Sequence, residues 1–231
     1  MTEIEKLYEL CHEIPNSYKM KSKYTFLIKE RILKGRLLTI NDSLEKDTKI
    51  NRFINSYNTV LIFPNYINKV LVDLQVKPLD SNERFLQLGN IKPPYGIGRL
   101  DKDFKYGDPL FLVEGIADFG ALKIMNPRLN VVAIRSNALA KSYYPLLTSL
   151  TNNIVMIPDN DEAGLSQINT IKKNFNKLNT GFNIVIQYEG LKDTGDFIDL
   201  LMNYKKSPTQ DELDLIKDIS NYYIQQFKHY L

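Results

Sequence analysis

The chain has 231 residues, 43% hydrophobic and 25% charged, which suits one large or two small globular domains. Its single cysteine, Cys11, and two histidines, His12 and His229, exclude a disulfide framework, a cysteine-rich zinc ribbon and a His/Cys metal cluster. A net charge of +3 excludes a uniformly cationic nucleic-acid binder, so attraction to a polyanion has to come from uneven charge.

The N-terminus lacks the basic-then-apolar layout of a signal peptide, and no stretch approaches the ~20 apolar residues that span a bilayer, which points to a cytoplasmic setting. Between Tyr18 and Arg36 the chain is strongly basic, with Lys19, Lys21, Lys23, Lys29, Arg31, Lys34 and Arg36 against the single acid Glu30. Leu27, Ile28, Ile32 and Leu33 fall at helical spacing, so Phe26 to Leu38 is expected to be a core-facing helix. Its basic face is either simply solvated or tracks phosphates, with Tyr18 and Tyr24 available to stack bases.

From Tyr57 short apolar runs take over. Val60 to Pro64 and Val70 to Val76 fit antiparallel strands, and a Gly/Pro-rich loop runs from Gly89 to Gly98. After Gly107-Asp108-Pro109 the pattern becomes βαβ-like. Strands are expected at Leu110–Val113, Val131–Ile134, Ile154–Ile157 and Ile184–Ile186, with crossover helices at Ile116–Met125, Asn137–Leu150 and Glu162–Leu178. Together they predict a parallel, helix-covered sheet. Near the C-terminus, Ser207 as cap, Pro208 at the first helical position and Gln210 mark an amphipathic helix through Leu213, Ile216, Ile219, Tyr223 and Phe227.

In open parallel sheets the site lies at the carboxyl ends of the strands, and the acids gather there. Glu114 follows the first strand, Asp159 and Asp161 follow the third, and Asp193 and Asp196 follow the fourth through a short link. An isolated Asp-x-Asp before a helix is often no more than a cap. Three acid-bearing strand ends on one face are different, because clustered like charges repel unless a hard cation such as Mg²⁺ neutralises them.

Val113-Glu114-Gly115-x-x-Asp118, Pro158-Asp159-Asn160-Asp161-Glu162-Ala163-Gly164 and Lys192-Asp193-x-x-Asp196 resemble the Toprim domain shared by DnaG-type primases, topoisomerases and certain nucleases. Upstream, Ile62-Phe63-Pro64, Glu83-Arg84-Phe85-Leu86 and Tyr95-Gly96 are similar to elements of the primases' basic subdomain. The resemblance implies an α/β fold: a Toprim domain with a central parallel sheet flanked by helices, preceded by a smaller α+β basic subdomain. It implies a basic helical region over residues 1–55, a primase-like subdomain over 56–107, the Toprim catalytic domain over 108–204 and a C-terminal helix over 205–231.

It further implies that Glu114, Asp159 and Asp161 are the principal catalytic and Mg²⁺-site residues, with Asp193 as a further metal ligand. Asp118, Lys192, Asp196, Lys77 and Arg84 would contact nucleotide phosphates or supporting metals. Two Mg²⁺ or Mn²⁺ ions would then drive synthesis of short RNA primers from ribonucleoside triphosphates on single-stranded DNA. Lys69, where the family usually has glycine, and Ser136-Asn137-Ala138 in place of Gly-Thr-Ala depart from the pattern. The sequence shows no zinc ribbon and no full helicase-binding domain, as in a phage, plasmid or mobile-element core that borrows a helicase or accessory protein. Two alternatives stay open: a Toprim nuclease using the same acids, and a non-catalytic replication or DNA-binding protein.

Overall fold

The computed structural model describes residues 2–15, 22–39, 59–79, 85–89, 91, 93–135 and 139–231. The chain divides into two compact units, Met1–Pro93 and Pro94–Leu231.

The first unit is an antiparallel sheet in the order β1 (Arg36–Thr39), β2 (Thr59–Ile67), β3 (Val70–Pro78) and β4 (Leu86–Gln87). The β2–β3 hairpin turns on Asn68 and Lys69, both left-handed at φ 48° and 67°. Two such residues make the turn whose twist matches that of the flanking strands. Lys69 thus holds the backbone shape that glycine adopts more easily, which explains why glycine is usual there. Helix α1 (Glu3–Glu9) is opened by a Thr2/Glu5 capping box, and its Leu7, with Cys11 just beyond its end, is buried in a cluster with Leu38, Val60, Ile62, Leu74 and Val76.

The helix expected over Phe26–Leu38 is shorter. Ser22 caps α2 (Lys23–Lys29), and the chain then reverses through Arg31 at φ 60°, where the N–H groups of Ile32 and Leu33 both donate to the Leu27 carbonyl. The next element is strand β1, which pairs with β2 and buries Leu37 and Leu38. Tertiary pairing overrides a helical spacing here. Tyr18 and the lysines at 19 and 21 lie outside the described residues.

The second unit holds a four-stranded, wholly parallel sheet in the order β6 (Val131–Ala133), β5 (Leu110–Val113), β7 (Asn153–Ile157), β8 (Gly181–Ile184). Helices α3 (Ile116–Met125), α4 (Tyr143–Leu150) and α5 (Glu162–Asn176) make the crossovers, followed by α6 (Asp196–Lys206) and α7 (Gln210–Lys228). Leu147 of α4 and Ile171 and Phe175 of α5 pack with Leu110, Leu112, Ile154 and Met156. On the opposite face Phe227 of α7 meets Phe111 edge-on at 4.9 Å. Both faces of the sheet are therefore covered, as a parallel sheet requires.

Three local expectations shift. Helix α4 begins at Tyr143 rather than near Asn137, which lies outside the described residues. The last strand is Gly181–Ile184 rather than Ile184–Ile186. It forms the sheet edge, where half-exposed Phe182 and exposed Asn183 carry no apolar run to announce it. The C-terminal helix is capped by Thr209, which accepts from the Glu212 N–H, rather than by Ser207.

Candidate metal centre

Chain order sets the position of the centre. From β5 the chain crosses to β6 on one side, then returns to β7 on the other, so β5 and β7 flank the topological switch point where doubly wound sheets open a crevice. Val113 and Ile157 are paired at the ends of these strands. The next carboxylates are Glu114 and Asp159.

Glu114 is 8% exposed, and its Oε1 accepts from the Asp159 backbone N–H at 3.2 Å and from the Gln167 side-chain amide. Burial pushes its carboxyl above the usual range, and the charges of Asp161 and Asp193 add to that, against the opposing effect of its two donors. Asp159 is displaced further, to about 8, first by burial and then by the charges of Asp118, Glu114, Asp193 and Asp161. Its Oδ1 is buried and accepts no hydrogen bond.

Asp161 faces solvent and behaves differently. It caps α5 by accepting from the Gly164 N–H at 2.8 Å, and that donor, followed by Lys192, holds its carboxyl below the usual range. The Lys192 ammonium lies 3.4 Å from Asp161 Oδ2, an exposed pair. Glycine at 164 is obligatory, since a Cβ there would sit 2.4 Å from the Asp159 carbonyl oxygen and 2.8 Å from Glu114 Oε1.

Asp118 and Asp196 both stand in first helical turns. Asp118 accepts from the Gly115 N–H with Oδ2 at 2.8 Å and from the Gly195 N–H with Oδ1 at 2.7 Å, tying the starts of α3 and α6 together. Asp193 and Asp196 accept reciprocally, the Asp196 N–H donating to Asp193 Oδ1 at 3.0 Å and the Asp193 N–H to Asp196 Oδ2 at 3.4 Å, and Asp196 Oδ2 also accepts from the Lys192 N–H at 2.9 Å. Lys77 belongs to the first unit, with its ammonium 5.5 Å from the Phe85 ring centre and 6.0 Å from that of Tyr24. Tyr24 itself packs edge-on against Phe63 and Phe85. Arg84 lies outside the described residues.

The donor set is all oxygen, which suits a hard divalent cation, and the buried, unbonded Asp159 Oδ1 is the atom such an ion would satisfy. Among the described residues no three acidic, histidine or cysteine side chains form a closed ligand group. Glu114, Asp161 and Asp118 are instead spread onto amide donors. The fit is therefore that of an open site. Gln167 was not anticipated from the sequence, although it breaks the apolar stripe of Gly164, Ile171 and Phe175 on the buried face of α5, and a neutral amide at such a position needs a buried partner.

The Toprim-like family model matches residues 111–198, the stretch that carries these carboxylates. No curated protein matches the sequence. A solved DnaG primase catalytic domain bound to single-stranded DNA is similar with a TM-score of 0.59 and 14% identity, over 97% of this chain and 83% of that one. A DNA primase domain from Pseudomonas aeruginosa gives 0.62 and 16%, over 97% and 81%. The primase fragment of the bacteriophage T7 primase-helicase protein gives 0.51 and 14%, over 79% and 66%. Residues 111–198 thus match the Toprim-like model, and the chain shares the fold of solved DnaG primase catalytic domains. Among the described residues no helix is long and apolar enough to cross a membrane.

Proposed function

We propose that the protein is a primase-like nucleotidyltransferase that joins ribonucleotides into short primers on a single-stranded DNA template. The observation that carries this reading is the span of the likeness, which covers 97% of the chain and so includes the antiparallel unit upstream of the Toprim-like segment. A Toprim nuclease has no need of that unit.

Glu114 and Asp159 would hold Mg²⁺ or Mn²⁺ at the switch point, with Asp161 and Asp193 completing the shell from the two neighbouring turns. Bound there, divalent ions lower the pKa of a ribose 3′-hydroxyl and neutralise charge on the transferred phosphate. The chain's own part is positional. Gln167 and the Asp159 N–H fix the Glu114 carboxylate, while Gly164 lets the α5 backbone approach both acids. Lys192, paired with Asp161, supplies a cationic group for triphosphate phosphates. The template, the triphosphates and any helicase or accessory protein are the partners this reading implies.

The test is incubation with single-stranded DNA templates, ribonucleoside triphosphates and Mg²⁺ or Mn²⁺. Template-dependent oligoribonucleotides lost in Glu114→Gln and Asp159→Asn are expected. Cleavage of the template with no RNA product would assign the site to hydrolysis instead.

A further inference from the structure

Helix α7 lies beyond the sheet, yet one of its side chains reaches the acidic loops. Tyr223 is fully buried, stacked near Phe227 at 5.9 Å and edge-on to Tyr222 at 5.3 Å. Its hydroxyl donates to Gln187 Oε1 and accepts from the Tyr188 N–H at 3.3 Å. Gln187, itself buried, passes the connection on: its Nε2 donates to the Pro158 carbonyl at 2.9 Å, and its Oε1 also accepts from the Thr194 hydroxyl at 3.2 Å. The amide orientation is fixed, because a flipped Gln187 would set its oxygen against the Pro158 carbonyl, two acceptors facing each other.

Pro158 immediately precedes Asp159, and Thr194 immediately follows Asp193. Gln187 is therefore a buried brace between two acid-bearing turns, which also meet directly where the Asn160 N–H donates to the Lys192 carbonyl at 2.7 Å. These turns carry mutually repelling carboxylates, so the spacing between them decides how well their oxygens converge. Neutral groups behind a ligand shell commonly control affinity in this way.

We propose that Tyr223 is a positioning residue for the acidic centre, locking Gln187 between the Pro158-Asp159 and Asp193-Thr194 turns and so setting the centre's affinity for divalent cations. The proposal rests on the reading of that centre as a cation site. Tyr223→Phe keeps the ring and removes only the hydroxyl, and Thr194→Val removes the other donor to Gln187, whereas Thr194→Ser retains it.

Mn²⁺ binding is measured by titration calorimetry on the full chain, with melting temperatures recorded in chelator and in saturating Mn²⁺. Tyr223→Phe and Thr194→Val are expected to bind Mn²⁺ about tenfold more weakly, with a smaller Mn²⁺-induced rise in melting temperature, and Thr194→Ser to bind as wild type. A merely structural hydroxyl would lower both melting temperatures equally and leave the Mn²⁺ affinity unchanged, which would overturn the proposal alone. A wild-type protein that takes up no Mn²⁺ would overturn the cation-site reading and this proposal with it.

Discussion

The backbone N–H of Asp159 donates to the Glu114 carboxylate at 3.2 Å, so the two acids at the switch point are joined through main chain rather than held apart. Glu114 is partly compensated by that donor. Asp159, whose Oδ1 accepts nothing, is left to carry the electrostatic cost of the cluster.

Stability of the cation-free protein should therefore fall as pH rises. The Asp159 carboxyl stands near 8 in the folded chain against 3.8 ordinarily, so between these values the folded state binds more protons than the unfolded state. Its contribution is fully present below about pH 4 and is lost as pH climbs through 8. The raised Glu114 carboxyl acts in the same direction. Urea denaturation in chelator at pH 5.5 and 8.5 should show this loss in the wild type and a much flatter response in Asp159→Asn.

Gly164→Ala should damage the fold and the site together. The added methyl would press on the Asp159 carbonyl oxygen at 2.4 Å, a backbone atom, and on Glu114 Oε1 at 2.8 Å. A loss of roughly 1–3 kcal/mol in urea denaturation is expected, the range for overpacking a tight contact.

Lys69→Gly should stabilise the first unit. It relieves a side chain held at φ 67° in a turn that favours glycine, at some cost in unfolded-chain entropy. A net gain of about 0.5–1 kcal/mol is expected, read as a rise of roughly 2 °C in the melting temperature.

Lys192→Met should separate stability from activity. The ion pair with Asp161 is exposed, so its loss should change unfolding free energy by less than about 1 kcal/mol. Primer synthesis should fall mainly through a raised KM for triphosphate, measured by steady-state kinetics against nucleotide concentration.

Much of the second unit was legible because its signals are local and mutually consistent. Leu110 to Val113 is an apolar run ended by Glu114-Gly115, and both β5 and α3 begin and end where that pattern places them. The basic segment misled for the opposite reason: Ile32 and Leu33 sit at helical spacing from Leu27 and Ile28, yet the chain turns at Arg31 to pair β1 with β2 across a long sequence separation. In the site, the acids announced themselves by charge. Gln167, Gln187, Thr194 and Tyr223 did not, since neutral polar residues acquire meaning only when burial obliges them to find partners.

Glu114 and Asp159 are neighbours across 45 residues of chain, because β5 and β7 become adjacent only after a complete crossover has been laid down. The concentration of negative charge is thus a property of the finished topology, absent from any collapsed state in which the two strands have not yet paired. A peptide carrying Pro158 to Gly164 alone would show Asp159 as an ordinary carboxylic acid. The weakened acidity of Asp159 is therefore a product of the closed parallel sheet, and it reports that β5 and β7 have paired.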